Sequence, residues 1–285
     1  MYKKLAVAII HGMGNTTQEF AGEMISMLNQ KFDKRLHQLV SDSSSYLIIQ
    51  PVHWAKVFAD REEKLMKDIV MESELNFQTL RRFIIHYLGD AIAYQPVETA
   101  KHNYQRVHDE IGVNLNRLSQ IAGNDAPLCI ISHSLGSVIA SNYFYDLQFK
   151  EQDVTSVVNG ASPLEKGDTL TLFYTLGTSM PLWSLRYHNF DRPVHIPSPK
   201  LEEYYPGLNG EWINFYDKDD ILGYPLKKVS ENYNKMVNED REVNVGNAFI
   251  SWNPLSHFHY LTDQDVIEPI VDGLVRAWKQ INHQN

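Results

Sequence analysis

The sequence of 285 residues predicts an α/β fold, a three-layer αβα sandwich with a mostly parallel central sheet and a helical lid-like insertion. Short apolar segments alternate along the chain with longer segments of helical periodicity, which is the pattern of repeated βα units. Strands that are covered by helices on both faces of a sheet read as continuous apolar runs of this kind. Polar residues follow several of these runs directly, and sites in open α/β sheets form where the strands end.

The amino-terminal half contains three predicted strands. The first covers residues 5–10, and apolar side chains at helical spacing then recur from residue 20 to 39. The second strand is predicted at residues 46–54 and the third at 127–132. An amphipathic helix at residues 104–121 precedes the third strand, so the second and third strands are joined by the helical crossover that a parallel sheet requires.

Two segments are candidates for a lid over the sheet. Residues 56–96 are rich in large apolar side chains with irregular helical periodicity, and we interpret them as a lid-like insertion. Residues 191–210 contain four prolines and two glycines, which predicts a long loop and a second candidate lid. Because the candidate site residues come from both halves of the chain, residues 1–285 are expected to form a single domain.

The carboxyl-terminal half continues the alternation of strands and helices. A helix follows the third strand and carries apolar residues over 138–147. A fourth strand is predicted at residues 169–176, a fifth at 211–216 and a possible sixth at 242–245. The chain ends in a helix of about residues 263–281.

The composition excludes several classes of protein. The chain has 26 basic and 35 acidic residues, a net charge of −9, and no basic stripe of the kind that nucleic-acid binding requires. Its one cysteine, Cys129, cannot form an internal disulfide, which fits a reducing cytosol. The first apolar run is too short for a signal peptide, and no stretch has the length of a membrane span. We therefore expect a soluble, cytoplasmic protein, and the sequence leaves its oligomeric state open.

The strongest functional motif is residues 132–136, Ser-His-Ser-Leu-Gly, between the third strand and the following helix. A serine on a tight strand-to-helix turn, with small residues two positions before and after it, is the arrangement of a nucleophile elbow. The small residues here are Ser132 and Gly136, and the candidate nucleophile is Ser134. The helix would direct its N-terminal N–H groups and its positive dipole end towards an anion that forms at this serine.

With this motif the chain resembles the α/β-hydrolase superfamily, in particular its small lipase-like and esterase-like serine hydrolases of bacterial type without an assigned substrate. The resemblance covers nearly the whole chain, from the strand at residue 5 to the last helix. It implies an α/β-hydrolase fold and a catalytic triad in the chain order serine, aspartate, histidine. The family usually has glycine where this chain has Ser132, and serine is nearly as small.

The resemblance also implies an oxyanion hole. Residues 11–14, His-Gly-Met-Gly, follow the first strand as a His-Gly pair often does in the family. The backbone N–H groups of Met13 and Leu135 would then bind the oxyanion. His11, Gly12 and Gly136 are the expected supporting residues. A glycine-rich βα turn of another α/β fold is the alternative for this segment.

The family's acid follows a strand well after the nucleophile. Three aspartates follow the fifth strand, and Asp219 matches the family's pattern best, before Asp220 and then Asp217. For each of them, a solvated acidic turn is an equally good interpretation.

The family's histidine lies in a loop before the last helix. His257 fits this position because Tyr260 then occupies the aromatic position three residues later, and His259 is the competing histidine. A metal site at this His-x-His pair is not expected, because no third ligand has a suitable spacing. The sequence therefore calls for neither a metal nor an organic cofactor.

The expected function is that of a serine esterase or lipase-like hydrolase. The substrate would be a small-molecule carboxylic ester, which could be lipid-like or a thioester, cleaved through an acyl-enzyme intermediate. Two alternatives stay open. One is a binding module on a hydrolase fold whose site has decayed, which the Ser132 substitution would explain. The other is an acyltransferase that uses the same triad.

Overall fold

The computed structural model describes residues 2–12, 20–95, 101–149, 160, 162–245 and 254–283. Six strands of this part of the chain form one sheet in the order β2-β1-β3-β4-β5-β6, and every neighbouring pair is parallel. Helices flank both faces, which confirms the predicted α/β sandwich with a sheet that is all-parallel in these strands. The strands β1 to β6 cover Leu5–Ile10, Leu47–Val52, Leu128–His133, Leu170–Leu176, Glu211–Tyr216 and Glu239–Glu242.

Most of the helices lie between consecutive strands. Helices α1 to α9 cover Gly22–Leu36, Ala59–Leu65, Gln78–Ala93, Lys101–Ala122, Leu135–Phe149, Met180–Trp183, Leu201–Tyr204, Glu231–Met236 and Gln264–His283. A π-helical segment covers Met66–Met71, and 3₁₀ segments cover Ser43–Tyr46, Ala55–Val57, Ser184–Arg186 and Pro254–Leu261. Within the described ranges, no helix combines the length and the apolar character that crossing a bilayer demands.

Alternate residues of each strand point into two apolar layers, one on either face of the sheet. In β1, Ala6 and Ala8 belong to the layer that also contains the buried faces of α4 and α5. Val7 and Ile9 belong to the opposite layer, with the buried faces of α1 and α9. The continuous apolar character of this strand, from which it was predicted, is therefore explained by burial on both sides.

The sixth strand lies at Glu239–Glu242, three residues before its predicted position at 242–245. Among the described strands it pairs with β5 alone, at the edge of the sheet, and its side chains form polar contacts. Asp240 accepts hydrogen bonds from the amide of Asn214 and from two backbone N–H groups, while Arg241 pairs with Glu239. A strand of four charged residues at the edge of the sheet has no apolar periodicity. The predicted position was therefore wrong by three residues.

The strand order reverses between β1 and β3, because the chain proceeds from β1 to β2 on one side and returns to β3 on the other. In open α/β sheets, sites form at the carboxyl ends of the strands where the strand order reverses in this way. The segments after β1 and β3 carry the His-Gly pair and the candidate nucleophile. The topology thus brings two sequence-distant motifs to one edge of the sheet.

The two candidate lids lie at different edges of the sheet. The backbone N–H of Ser198 donates to the carbonyl of Leu170 at the amino end of β4, so the prediction of a lid at 191–210 is wrong for this part of the loop. The loop must run back across the sheet because β5 starts at the amino edge. Residues 55–95 are mostly helical and begin just after the carboxyl end of β2. Their role as a lid stays a prediction.

Candidate active site

Ser134 occupies the sharp turn between β3 and α5. Its backbone has a φ of +52°, in the left-handed region that costs free energy for a residue with a Cβ atom. The N–H of Ser134 donates to the carbonyl of Leu176 at 2.9 Å, and its carbonyl accepts from the N–H of Ser137 at 3.0 Å. The neighbouring strand and the first turn of the helix therefore hold the strained turn in place.

Close backbone approach explains the small residues around this turn. A Cβ atom on Gly136 would lie 2.2 Å from the carbonyl oxygen of His11 and 2.7 Å from that of Ile10. A Cβ atom on Gly12 would lie 2.5 Å from the Cβ of Ser134. Only glycine therefore fits these two positions, because the end of β1 packs directly against the start of α5.

Ser132 stands within β3 and is buried. Its hydroxyl donates to the carbonyl of Tyr174 at 3.3 Å, and its own carbonyl accepts from the hydroxyl of Ser137 at 3.0 Å. The Ser132 hydroxyl thus has a hydrogen-bond partner in the next strand, and the serine is accommodated before the turn.

His257 lies directly beside Ser134, although 123 residues separate them in the chain. The two atoms Ser134 Oγ and His257 Nε2 are 2.6 Å apart, and His257 Nδ1 lies 2.8 Å from Asp220 Oδ2. A carboxylate only accepts, so Nδ1 carries the hydrogen and Nε2 is free to accept from the serine hydroxyl. The serine and the histidine are fully buried, and Asp220 is 5% exposed.

The carboxylate of Asp220 accepts hydrogen bonds from three described residues. The N–H of Leu222 donates to Oδ1 at 3.0 Å, while the Tyr260 hydroxyl donates to Oδ2 at 3.0 Å beside the His257 Nδ1–H. Burial by itself would raise the pKa of Asp220, but the bond to His257, the charge of that ring and the other two donors lower the pKa below its ordinary value. The carboxylate therefore stays ionised beside the histidine.

The structure brings the second-choice aspartate, and not the first, to His257. Asp219 is exposed, and its N–H donates to Asp217 Oδ1 at 2.8 Å. The buried Asp217 also accepts from the N–H of Val245 at 2.8 Å, so it holds the turn together. The prediction that Asp219 lies at His257 is wrong. The turn that Asp217 caps directs the side chain of Asp219 towards solvent and that of Asp220 towards the histidine.

Tyr260 connects the histidine segment to the aspartate turn. Its hydroxyl donates to Asp220 and accepts from the N–H of Asp217 at 2.8 Å. Burial raises the pKa of Tyr260, and the nearby Asp220 carboxylate raises it further, so this hydroxyl remains a donor. The sequence marks Tyr260 only as the aromatic residue three positions after His257 and gives no indication of this bond.

His259, the competing histidine, is half-buried and is not part of this chain of hydrogen bonds. Its carbonyl accepts from the N–H of Thr262 at 3.2 Å, which closes the last turn of the 3₁₀ segment. In the described part of the chain, no group of three His, Cys, Asp or Glu side chains is arranged to hold a metal ion.

The candidate oxyanion donors can be described in part. Leu135 is the first residue of α5, and the first N–H groups of a helix have no partner within the helix. Met13 lies outside the described residues. The buried His11 stacks on Trp54 with the ring centroids 5.0 Å apart, and its carbonyl accepts from the indole N–H at 2.7 Å. The ring of His11 therefore packs against the segment that follows β2.

Comparison with known proteins adds no family to this geometry. No protein-family model matches the chain, and no curated protein matches it.

Tyr87, on helix α3, is influenced by the charge of Asp220. Burial raises the pKa of Tyr87, the Ser179 hydroxyl partly offsets this, and the charges of Tyr224 and Asp220 raise the pKa further. These influences mean that Tyr87 lies near the segments that follow β4 and β5. The region predicted as a lid thus approaches the carboxyl edge of the sheet, where Ser134 also lies.

Proposed function

We propose that this protein is a serine hydrolase of the α/β-hydrolase type that cleaves a carboxylic ester or thioester. The observation that carries the proposal is the continuous hydrogen-bonded chain from Ser134 through His257 to Asp220. A hydroxyl beside an imidazole that a buried carboxylate orients is the arrangement that activates serine as a nucleophile.

The reaction follows from the positions of the hydrogen atoms. His257 Nε2 takes the proton of Ser134 as Oγ attacks the carbonyl carbon, and Asp220 stabilises the imidazolium that forms. The oxyanion of the tetrahedral intermediate lies at the start of α5, near the N–H of Leu135. The intermediate collapses to an acyl-enzyme, and the imidazolium protonates the departing alcohol or thiol. A water molecule then gives a proton to His257 as its oxygen attacks the acyl carbon, and the imidazolium returns this proton to Ser134 Oγ as the carboxylic acid leaves.

Access to the nucleophile supports a lid-like role for residues 56–96. Ser134 is fully buried, so the proposal requires a movement of the chain that admits an ester. Helix α3 belongs to this region and approaches the site through Tyr87. A small-molecule, lipid-like ester and a cytoplasmic location remain part of the proposal, the latter because the chain has one cysteine.

A fluorophosphonate probe tests the proposal, because it reacts with serines that a neighbouring base activates. We expect one label per chain, at Ser134, and hydrolysis of at least one member of a series of p-nitrophenyl esters of increasing acyl length. Ser134→Ala removes both signals. Ser162→Ala is the matched control, because Ser162 is equally buried and bonds to the carbonyl of Asn124 away from the site.

Two results would contradict the proposal. One is a wild-type protein that is not labelled, as a decayed binding module would behave. The other is a Ser134→Ala variant that is labelled as well as the wild type. Product analysis with added alcohols, amines or thiols then separates hydrolysis from acyl transfer.

A further inference from the structure

His133, the residue before the candidate nucleophile, contacts the segment that carries His257. It is the last residue of β3 and is 3% exposed. Its Nε2 lies 2.6 Å from the backbone carbonyl oxygen of His257, and the two imidazole rings are 4.7 Å apart with a tilt of 39°. His133 thus contacts the backbone carbonyl of His257, while the next residue, Ser134, contacts its imidazole.

The contact determines where the hydrogen of the His133 ring lies. A carbonyl oxygen only accepts, so His133 Nε2 carries the hydrogen and donates it. Burial, together with the charge of His257, lowers the pKa of His133 to about 3, although the bond to the His257 carbonyl and the Asp220 carboxylate act to raise it. His133 is therefore a neutral donor over the pH range in which a histidine base works, and it adds no second positive charge beside the imidazolium.

We propose that His133 is a positioning residue that holds the backbone of His257 at the distance from Ser134 that proton transfer requires. This role rests on the proposed serine hydrolase function. Neighbouring residues of one turn, His133 and Ser134, bind the carbonyl and the imidazole of the same histidine. Asp220 fixes the far side of that imidazole. His257 is thus held by its main chain as well as by its side chain.

The other side of the His133 ring is also restrained. A Cβ atom on Gly12 would lie 3.0 Å from His133 Nδ1, so the chain that leaves β1 packs directly against the ring. The imidazole therefore lies between the segment after β1 and the 3₁₀ segment Pro254–Leu261. Without the donor, the carbonyl of His257 would lose a buried partner and the 3₁₀ segment would lose its tie to the turn.

Turnover per labelled serine tests this role in His133→Leu and His133→Gln. Leucine keeps apolar volume without a donor, whereas the glutamine Nε2 can donate to the same carbonyl. We expect kcat of His133→Leu to fall about 10- to 100-fold, because displacement of a catalytic group by about 1 Å costs on the order of 100-fold. KM should change less than about threefold, and His133→Gln should recover most of the rate, since neither variant alters substrate binding.

His108→Leu is the matched control for loss of a buried histidine. His108 lies on α4 and bonds to the Tyr94 hydroxyl at 2.8 Å, in the opposite layer from α9. Its replacement should lower stability yet leave kcat per labelled serine unchanged. A merely structural His133 would behave in the same way, so the two variants separate positioning from stability.

Several results would overturn the inference. A His133→Leu variant with wild-type turnover per labelled serine would refute positioning while the labelling of Ser134 leaves the proposed function intact. An equal loss in His133→Gln and His133→Leu would refute the role of the hydrogen bond. Absence of labelling in the wild type would instead refute the proposed function, and with it any role in catalysis.

A measurement on the wild-type protein tests the proposal even if the His133 variants do not fold. In ¹H–¹⁵N spectra of the histidine rings, His133 should keep a slowly exchanging Nε2–H signal from pH 5 to pH 8. A His133 ring that titrates within this range, or that carries its hydrogen on Nδ1, contradicts the inference.

Discussion

At the residue scale, the turn after β5 shows how neighbouring aspartates acquire different roles. Asp217 accepts two backbone hydrogen bonds and stabilises the turn, Asp219 faces solvent, and Asp220 bonds to the histidine. The three residues are of the same type and lie within one short segment. Their environments differ because the turn directs each side chain to a different place.

Replacement of these aspartates separates their roles. Asp220→Asn should reduce kcat about 10³- to 10⁴-fold, because an amide in place of the carboxylate favours the wrong tautomer of His257. Asp219→Asn, the matched control in the same turn, should keep kcat within about threefold, since its side chain is exposed. Steady-state hydrolysis of an activated ester measures both. Loss of activity in Asp219→Asn with retention in Asp220→Asn would reverse the assignment.

At the scale of elements, the site depends on how closely β1 and α5 pack. The backbone of His11 and Ile10 lies where a side chain on Gly136 would be. Neither element can move away from the other by itself. Strand β1 is paired with strands on both sides, and α5 begins in the strained turn of Ser134. The distance between the end of β1 and the start of α5 is thus determined by backbone contact.

Gly136→Ala should therefore lower the free energy of unfolding by about 1–3 kcal/mol or more, as overpacking does in a closely packed core. Gly22→Ala is the matched control at the start of α1, where a Cβ atom meets nothing within 4 Å. It should leave stability unchanged or raise it by up to about 1 kcal/mol. Urea denaturation measures both, and equal stability of the two variants would contradict the packing argument.

At the scale of the whole molecule, two buried histidines link folding to pH. Burial lowers the pKa of His108 to about 3, and it lowers that of His133 to about 3 as well. In the unfolded chain both rings take up a proton near pH 6.5. The unfolded state thus binds more protons between these values, so stability is fully present above about pH 6.5 and decreases as the pH falls towards 3.

Each histidine should contribute a slope of about 1.4 kcal/mol per pH unit within this window. Denaturation curves at pH 7, 6 and 5 measure the slope, and His108→Gln should reduce it by about one histidine's share. Ile111→Val, a buried change on the same helix without a titrating group, should lower stability by a similar amount at every pH. A slope that is unchanged in His108→Gln would show that His108 takes up its proton in the folded state.

The sequence by itself determined the α/β class, the exact bounds of β1 and β5, and the turn that carries Ser134. These features depend on periodicity and on turn residues within a few positions of one another, so local sequence encodes them. It also brought His257 forward as a candidate, through a family pattern, and that assignment stays a prediction.

Only the tertiary structure decided which aspartate meets His257, where the loop at 191–210 runs and which atom His133 binds. The hydrogen bond from His257 to Asp220 spans 37 residues of sequence, and that from His133 to His257 spans 124. Such contacts depend on strand order and on the direction of each turn, which arise when the whole sheet assembles. A one-residue change in a turn exchanges Asp219 for Asp220, and nothing in the local sequence distinguishes the two.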